Sequence, residues 1–198
     1  VYLQHQFFEE TLRPELGKNG IYLLNYIDLN REQKTYLKNY FEEHIFPVLT
    51  PLAIDSSHPF PYLSNLSLNL AVMLKNPDTQ EALLARIKVP KILPRFLCLP
   101  EKLQIEEKVK TINWTGVPLE QVIAHNLGTL FPGMDIQEYH LFRVTRDADL
   151  GVQEDESDDL LLVIEKELRK RRIGGTVVRM EINPTMPSKL KRMLMENL

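Results

Sequence analysis

One cysteine, Cys98, is all the thiol this sequence holds, so no intrachain disulfide can form. Its place in the apolar run from Arg95 to Leu99 predicts a small buried hydrophobe, and such sparse cysteine is compatible with a reducing cytosol. No apolar run approaches the roughly 18–20 residues that a membrane span needs. The N-terminus has no basic region followed by an apolar core, so no signal peptide is expected. Glycine-rich phosphate loops are missing too. Neither GxxxxGK[ST] nor GxGxxG occurs, and no serine sits in a GxSxG turn. His5, His44, His58, His125 and His140 are scattered, none with a second His or Cys at ligand spacing, so no metal site is expected. Neither sign of charge prevails. The 24 Lys and Arg against 27 Asp and Glu leave a formal net charge of −3. That argues against a dedicated nucleic-acid binder and leaves room for a local basic patch.

What is present is ordinary globular composition. The 198 residues are 43% hydrophobic and 26% charged, which fits one large domain or a domain plus an appendage. A chain of this size buries enough apolar surface to fold without metal or disulfide. It opens on Val1 and closes on Leu198 within an amphipathic run, and is expected to be a piece of a longer protein.

Periodicity predicts the elements. Leu3, Phe7, Phe8 and Leu12 make a helical face over Tyr2–Leu12, ended by Pro14. Ile21–Leu24 is a short strand. Asn30 and Gln33 form a capping box at the head of a helix whose face is Tyr36, Leu37, Tyr40, Phe41 and Ile45, stopped by Pro47. A proline-punctuated loop follows, with Pro47, Pro51, Pro59 and Pro61, read as a rigid connector. From Leu66 to Leu74 leucines and Val72 alternate with Ser67, Asn69, Ala71 and Met73, predicting a half-buried strand. Further strands are expected at Leu83–Val89, Arg95–Leu99, Thr111–Trp114, Tyr139–Arg146 and Thr176–Ile182. Helices are expected after Pro118, over the stretch that runs from Glu154 through Leu168 to Arg172, and from Pro187 to the end. Helices and strands are mixed along the chain. The fold class expected is α+β, a mixed β-sheet packed against helices with an N-terminal helical extension.

Few residues invite chemistry. His58, beside Pro59 in the rigid loop, suggests a phosphohistidine. A histidine that bonds loop carbonyls and pins the turn explains the same pattern, so His58, Pro59 and Pro61 are read as structural. Arg143 and Arg146 in the RVTRD segment suit phosphate oxygens, which a guanidinium fork binds two at a time. Their odd spacing puts them on opposite faces of a regular strand unless it ends or bulges near Thr145. Pairing with Asp147, Asp149 or Glu181 is the plainer explanation for either one. Arg169–Arg172 and the acids from Asp147 to Asp159 read as solvated charge that complements a helix dipole.

Four stretches carry a family resemblance: GIYLL (20–24), FPVLTPLAIDSSHPFPYLSNLSLNLAV (46–72), LFPGMDI (130–136) and FRVTRDADL (142–150). On these the chain resembles the head, or middle, domain of long-chain polyphosphate kinases. Residues 1–15 look like the last helix of the family's N-terminal domain, and 16–198 like the head domain. The resemblance implies a parent phosphotransferase that reversibly moves the terminal phosphate of ATP onto polyphosphate through a phosphohistidine, with Mg²⁺. The catalytic histidine, the Mg²⁺-binding arginines and most ATP contacts of the family lie in other domains. The implied assignment for this piece is therefore no catalytic residue, no metal and no bound cofactor. Its implied role is dimerisation and scaffolding of the active-site tunnel, with polyphosphate binding through strand arginines as the alternative. Implied partners are the remaining domains of the parent chain, a second copy of the parent and polyphosphate, with no nucleic acid and no membrane span. The implied location is cytoplasmic, with membrane association of the parent left open.

Overall fold

The computed structural model describes residues 2–54, 60–105, 114–147 and 175–198. The described helices are α1 (Tyr2–Phe7), α2 (Arg13–Lys18), α3 (Arg31–Tyr40), α4 (Leu119–His125), α5 (Leu127–Leu130) and α6 (Ser188–Glu196). The strands are β1 (Ile21–Leu23), β2 (Leu52–Ile54), β3 (Leu68–Lys75), β4 (Ala82–Lys88), β5 (Phe96–Cys98), β6 (Trp114–Pro118), β7 (Asp135–Arg146) and β8 (Val177–Ile182). The fold class is α+β, as the mixed order of elements predicts. The strands divide over two sheets, one of each in two compact units.

The first unit joins Val1–Leu49 to Pro90–Pro132. Its sheet has the order β1-β6-β5, with β1 parallel and β5 antiparallel to β6. The capping box of α3 forms as its sequence dictates. The Asn30 side chain accepts from the Gln33 N–H at 2.9 Å, and Gln33 accepts from the Asn30 N–H at 3.0 Å. Leu37, Phe41 and Ile45 from this run and Leu119, Val122 and Ile123 from α4 are fully buried and form the unit's core. Each such side chain contributes about 1.5–3 kcal/mol through burial.

Pro14 does not end the first helix, contrary to expectation. The chain stays helical to Lys18 because residues Phe8–Leu12 open into a π turn, in which the Arg13 N–H reaches the carbonyl of Phe8. A proline ring ordinarily meets the carbonyl four residues back. Here that carbonyl belongs to Glu10, inside the widened turn. The same device recurs before Pro47, where Phe41–Ile45 is a π turn and the Phe46 N–H reaches the carbonyl of Phe41.

Cys98 is exposed, not buried. On β5 the neighbours Leu97 and Leu99 take the inward positions, and strand alternation turns the thiol outward.

The second unit joins Thr50–Val89 to Gly133–Leu198 and carries an antiparallel sheet of order β2-β4-β3-β7-β8. The proline loop is thus not all connector, since Leu52–Ile54 pairs with Leu84–Arg86 as an edge strand. The central strand β3 is covered on both faces, where a half-buried strand was expected. Leu70, Val72 and Leu74 are buried on one side, and Ser67, Asn69 and Ala71 on the other. The second face meets a core of Leu63, Leu84, Phe142, Val144, Met186, Leu190 and Leu194, the last two from α6. Alternation records the chemistry of the two faces but not what covers them.

Candidate anion-binding site

The two strand arginines occupy different settings. Arg143 lies on the solvent side of β7, directly across from Glu181 on β8. Its Nε and Nη2 donate to one Glu181 oxygen at 3.1 and 2.6 Å, while Arg179 reaches the other oxygen at 3.2 Å. Among the described residues, two guanidinium groups therefore share one carboxylate.

The register of β7 against β8 breaks between Thr145 and Arg146, which is the bulge that the arginine spacing requires if the two are to escape strict alternation. Beyond the bulge, Arg146 serves as a clasp. Its Nε donates to the Leu63 carbonyl at 2.8 Å and its Nη1 to the Gly175 carbonyl at 2.8 Å. Its backbone N–H donates to the Asn65 side chain at 2.9 Å, and its guanidinium lies over the Tyr62 ring. Arg143 and Arg146 thus engage different partners, a carboxylate for one and backbone carbonyls for the other.

The segment Arg146 clasps is Tyr62–Asn69, directly after Pro61. It contains a tight turn in which the Ser67 N–H donates to the Ser64 carbonyl at 3.1 Å. Leu66 sits in the turn at φ 56°, a left-handed conformation that favours glycine, and its N–H is tied to the Val144 carbonyl at 2.9 Å. The turn presents a chain of polar side chains to β4. Ser67 Oγ donates to the Ser64 carbonyl at 2.7 Å, and Asn69 Nδ2 donates to Ser67 O at 2.8 Å and Ser67 Oγ at 3.1 Å. Asn69 Oδ1 then accepts from Arg86 Nε at 2.9 Å, while Lys88 Nζ reaches Ser64 Oγ at 2.9 Å.

Arg86 and Lys88 were missed in the sequence. They sit in an apolar strand, and only burial combined with the lack of a carboxylate partner among the described residues sets them apart. Two residues apart on β4, they share a face. Arg86 is 6% exposed, and burial pulls its pKa below the usual arginine range.

His58 and Pro59, the acidic stretch from 154 to 159 and Arg169–Arg172 lie outside the described residues. Pro61 is half-buried at the start of the segment. Among the described residues no cluster of three His, Cys, Asp or Glu side chains is placed to hold a metal ion, and no helix is long and apolar enough to cross a membrane.

In class, then, this is an α+β module whose candidate anion-binding residues are arginines and a lysine on strands. Its residues 32–198 match the family model described as polyphosphate kinase middle domain. The chain belongs to the polyphosphate kinase family. It is 62% identical over 195 residues to a polyphosphate kinase of Aphanizomenon baltica, covering 98% of this chain and 50% of that protein. A polyphosphate kinase of Synechocystis sp. is 60% identical over 198 residues, covering all of this chain and 27% of the relative. The crystal structure of the polyphosphate kinase from Porphyromonas gingivalis superposes with a TM-score of 0.74 at 26% identity, covering 99% of this chain and 26% of that one. The chain thus spans between about a quarter and a half of the relatives it matches.

Proposed function

We propose that this chain is the head domain of a polyphosphate kinase, with residues 16–198 as the domain proper and 1–15 as the closing helix of a preceding domain. The whole protein would transfer the terminal phosphate of ATP reversibly to inorganic polyphosphate, using Mg²⁺, in the cytoplasm. This piece would contribute dimerisation and scaffolding rather than chemistry. The observation that carries the reading is a match confined to the middle domain of proteins two to four times longer. Exposed apolar side chains on the N-terminal helical run support an interface role, with Tyr2 78%, Leu3 77% and Phe7 54% exposed. Light scattering across a concentration series tests the assembly, and a strictly monomeric chain counts against dimerisation by this piece. An assay of ATP-dependent polyphosphate synthesis tests the rest. The isolated chain should show none, and measurable synthesis would overturn the reading.

A second reading is favoured by the shared carboxylate of Glu181. Among the described residues Arg143 and Arg179 share a single acid, so this face offers two guanidinium groups to a polyanion such as polyphosphate. Arg146, clasping the Tyr62–Asn69 segment, would order the strand end beside it. Titration with polyphosphate at low and high salt separates this reading from a pure scaffold, which would give no saturable, salt-sensitive signal.

A further inference from the structure

Arg86 presents a chemical problem. A guanidinium carries five N–H donors, and among the described residues only Nε–H finds an acceptor, the neutral Asn69 amide oxygen at 2.9 Å. The residue is 6% exposed, and its Nη nitrogens, which are not among the fully buried unpaired atoms, reach the surface through that opening. A buried cation is strongly disfavoured unless an anion accompanies it. No carboxylate among the described residues pairs with Arg86, nor with Lys88 on the same strand face. Glu138 on β7 shares that sheet face, but it lies two strands away opposite Met73 and is taken by His140 at 3.0 Å.

The surroundings are organised. Asn69 is held by Ser67, Ser67 by Ser64, and Ser64 receives Lys88, so the two cations sit at the ends of one hydrogen-bonded chain. The turn that supplies this chain carries the left-handed Leu66 and is clasped by Arg146, and both features fix where its side chains stand. Strained, over-determined backbone of this kind clusters at ligand sites.

We propose that Arg86 and Lys88, held beside the Ser64–Asn69 turn, form a binding site for a phosphate-type oxyanion. Two positive charges with no carboxylate partner among the described residues match a phosphoryl group, which carries one to two negative charges, better than a single carboxylate. The Arg86 Nη nitrogens, which have no acceptor among the described residues, and the Lys88 ammonium are donors of the kind that phosphate oxygens accept. Bound anion would also relieve the burial that depresses Arg86. The site does not depend on whether the chain dimerises. Anion titration reads it, and light scattering reads assembly, so one can fail without the other.

The test is calorimetric titration of the 198-residue chain with orthophosphate, tripolyphosphate and long-chain polyphosphate, each against sodium chloride at matched ionic strength. Saturable binding is expected, weakened at least tenfold by Arg86→Met and several-fold by Lys88→Met. Binding of orthophosphate assigns the site to an isolated phosphoryl group. Binding of the longer anions alone assigns it to one phosphoryl group of a chain. Absence of saturable binding by all three, or Arg86→Met binding like the parent, overturns the proposal. Should Arg86→Met fail to fold, the Nε–H resonance of Arg86 in the unaltered chain decides. It should shift with tripolyphosphate and not with chloride, and a resonance that stays put overturns the proposal as well.

Discussion

The guanidinium of Arg146 lies 4.6 Å from the centre of the Tyr62 ring while two of its nitrogens hold the carbonyls of Leu63 and Gly175. One side chain thereby ties the end of β7 to two segments that are 83 and 29 residues away in sequence. The planar fork suits this task because it meets two carbonyls and a ring face at once.

Arg146→Ala should therefore destabilise the chain by about 2–3 kcal/mol, the order expected for charged hydrogen bonds in a half-buried setting. Arg146→Lys should recover less than half of that, since one ammonium cannot span both carbonyls. Urea denaturation of the three proteins checks this, and full recovery by lysine would contradict the clasp.

Asn69 and Arg86 should behave asymmetrically. Asn69→Ala leaves a buried guanidinium with its neutral acceptor gone, and should cost about 2–4 kcal/mol. Arg86→Met removes the charge itself and replaces it with a side chain of similar reach, so its cost should be smaller, within about 1 kcal/mol. Equal losses in the two denaturation curves would show that packing, not charge burial, governs the site.

Leu66 adopts φ 56° and is 51% exposed, so it gives up little burial when replaced. Leu66→Gly should stabilise the fold by up to about 1 kcal/mol through relief of backbone strain, partly offset by glycine's greater freedom in the unfolded chain. A lower melting temperature for this variant would mean that the leucine side chain makes contributions beyond its backbone.

Tyr26 has a phenol pushed above its usual pKa, first by burial, with a hydrogen bond from Asn126 opposing the shift. The protonated phenol is thus the form favoured in the folded state. Its contribution is complete below the unfolded value of about 10 and is lost as pH rises through the folded value. Stability measured between pH 8 and 11 should fall on the alkaline side, and Tyr26→Phe should flatten that fall. Tyr36, raised mainly by burial and further by Tyr40 and Cys98, should account for part of the slope that remains.

Local chemistry made parts of the fold legible in advance. The α3 capping box, the second-sheet strands β3, β4, β7 and β8 and the bulge condition at Thr145 could all be read because each depends on neighbouring residues, whereas β2 lay hidden in the proline loop. The π turns ahead of Pro14 and Pro47 could not, because the sequence marks the proline and not the accommodation. The outward turn of Cys98 and the double coverage of β3 depend on which partners lie above and below a strand, and periodicity carries no record of those. Among the site residues, Arg143 and Arg146 stood out for sitting in a recognisable motif. Arg86 stands out only once its burial and the lack of a carboxylate partner among the described residues are known.

The two units are interleaved in sequence. Each is assembled from two separate stretches, and the polypeptide passes from one unit to the other three times, after Leu49, Val89 and Pro132. No single cleavage can release either one whole. A terminal truncation that removes the last β-strand and helix strips the second unit while leaving its first half embedded mid-chain. Genetic dissection of this protein therefore has to proceed by point substitution, or by rejoining stretches across a designed linker, because cutting from either end damages a unit before it isolates one.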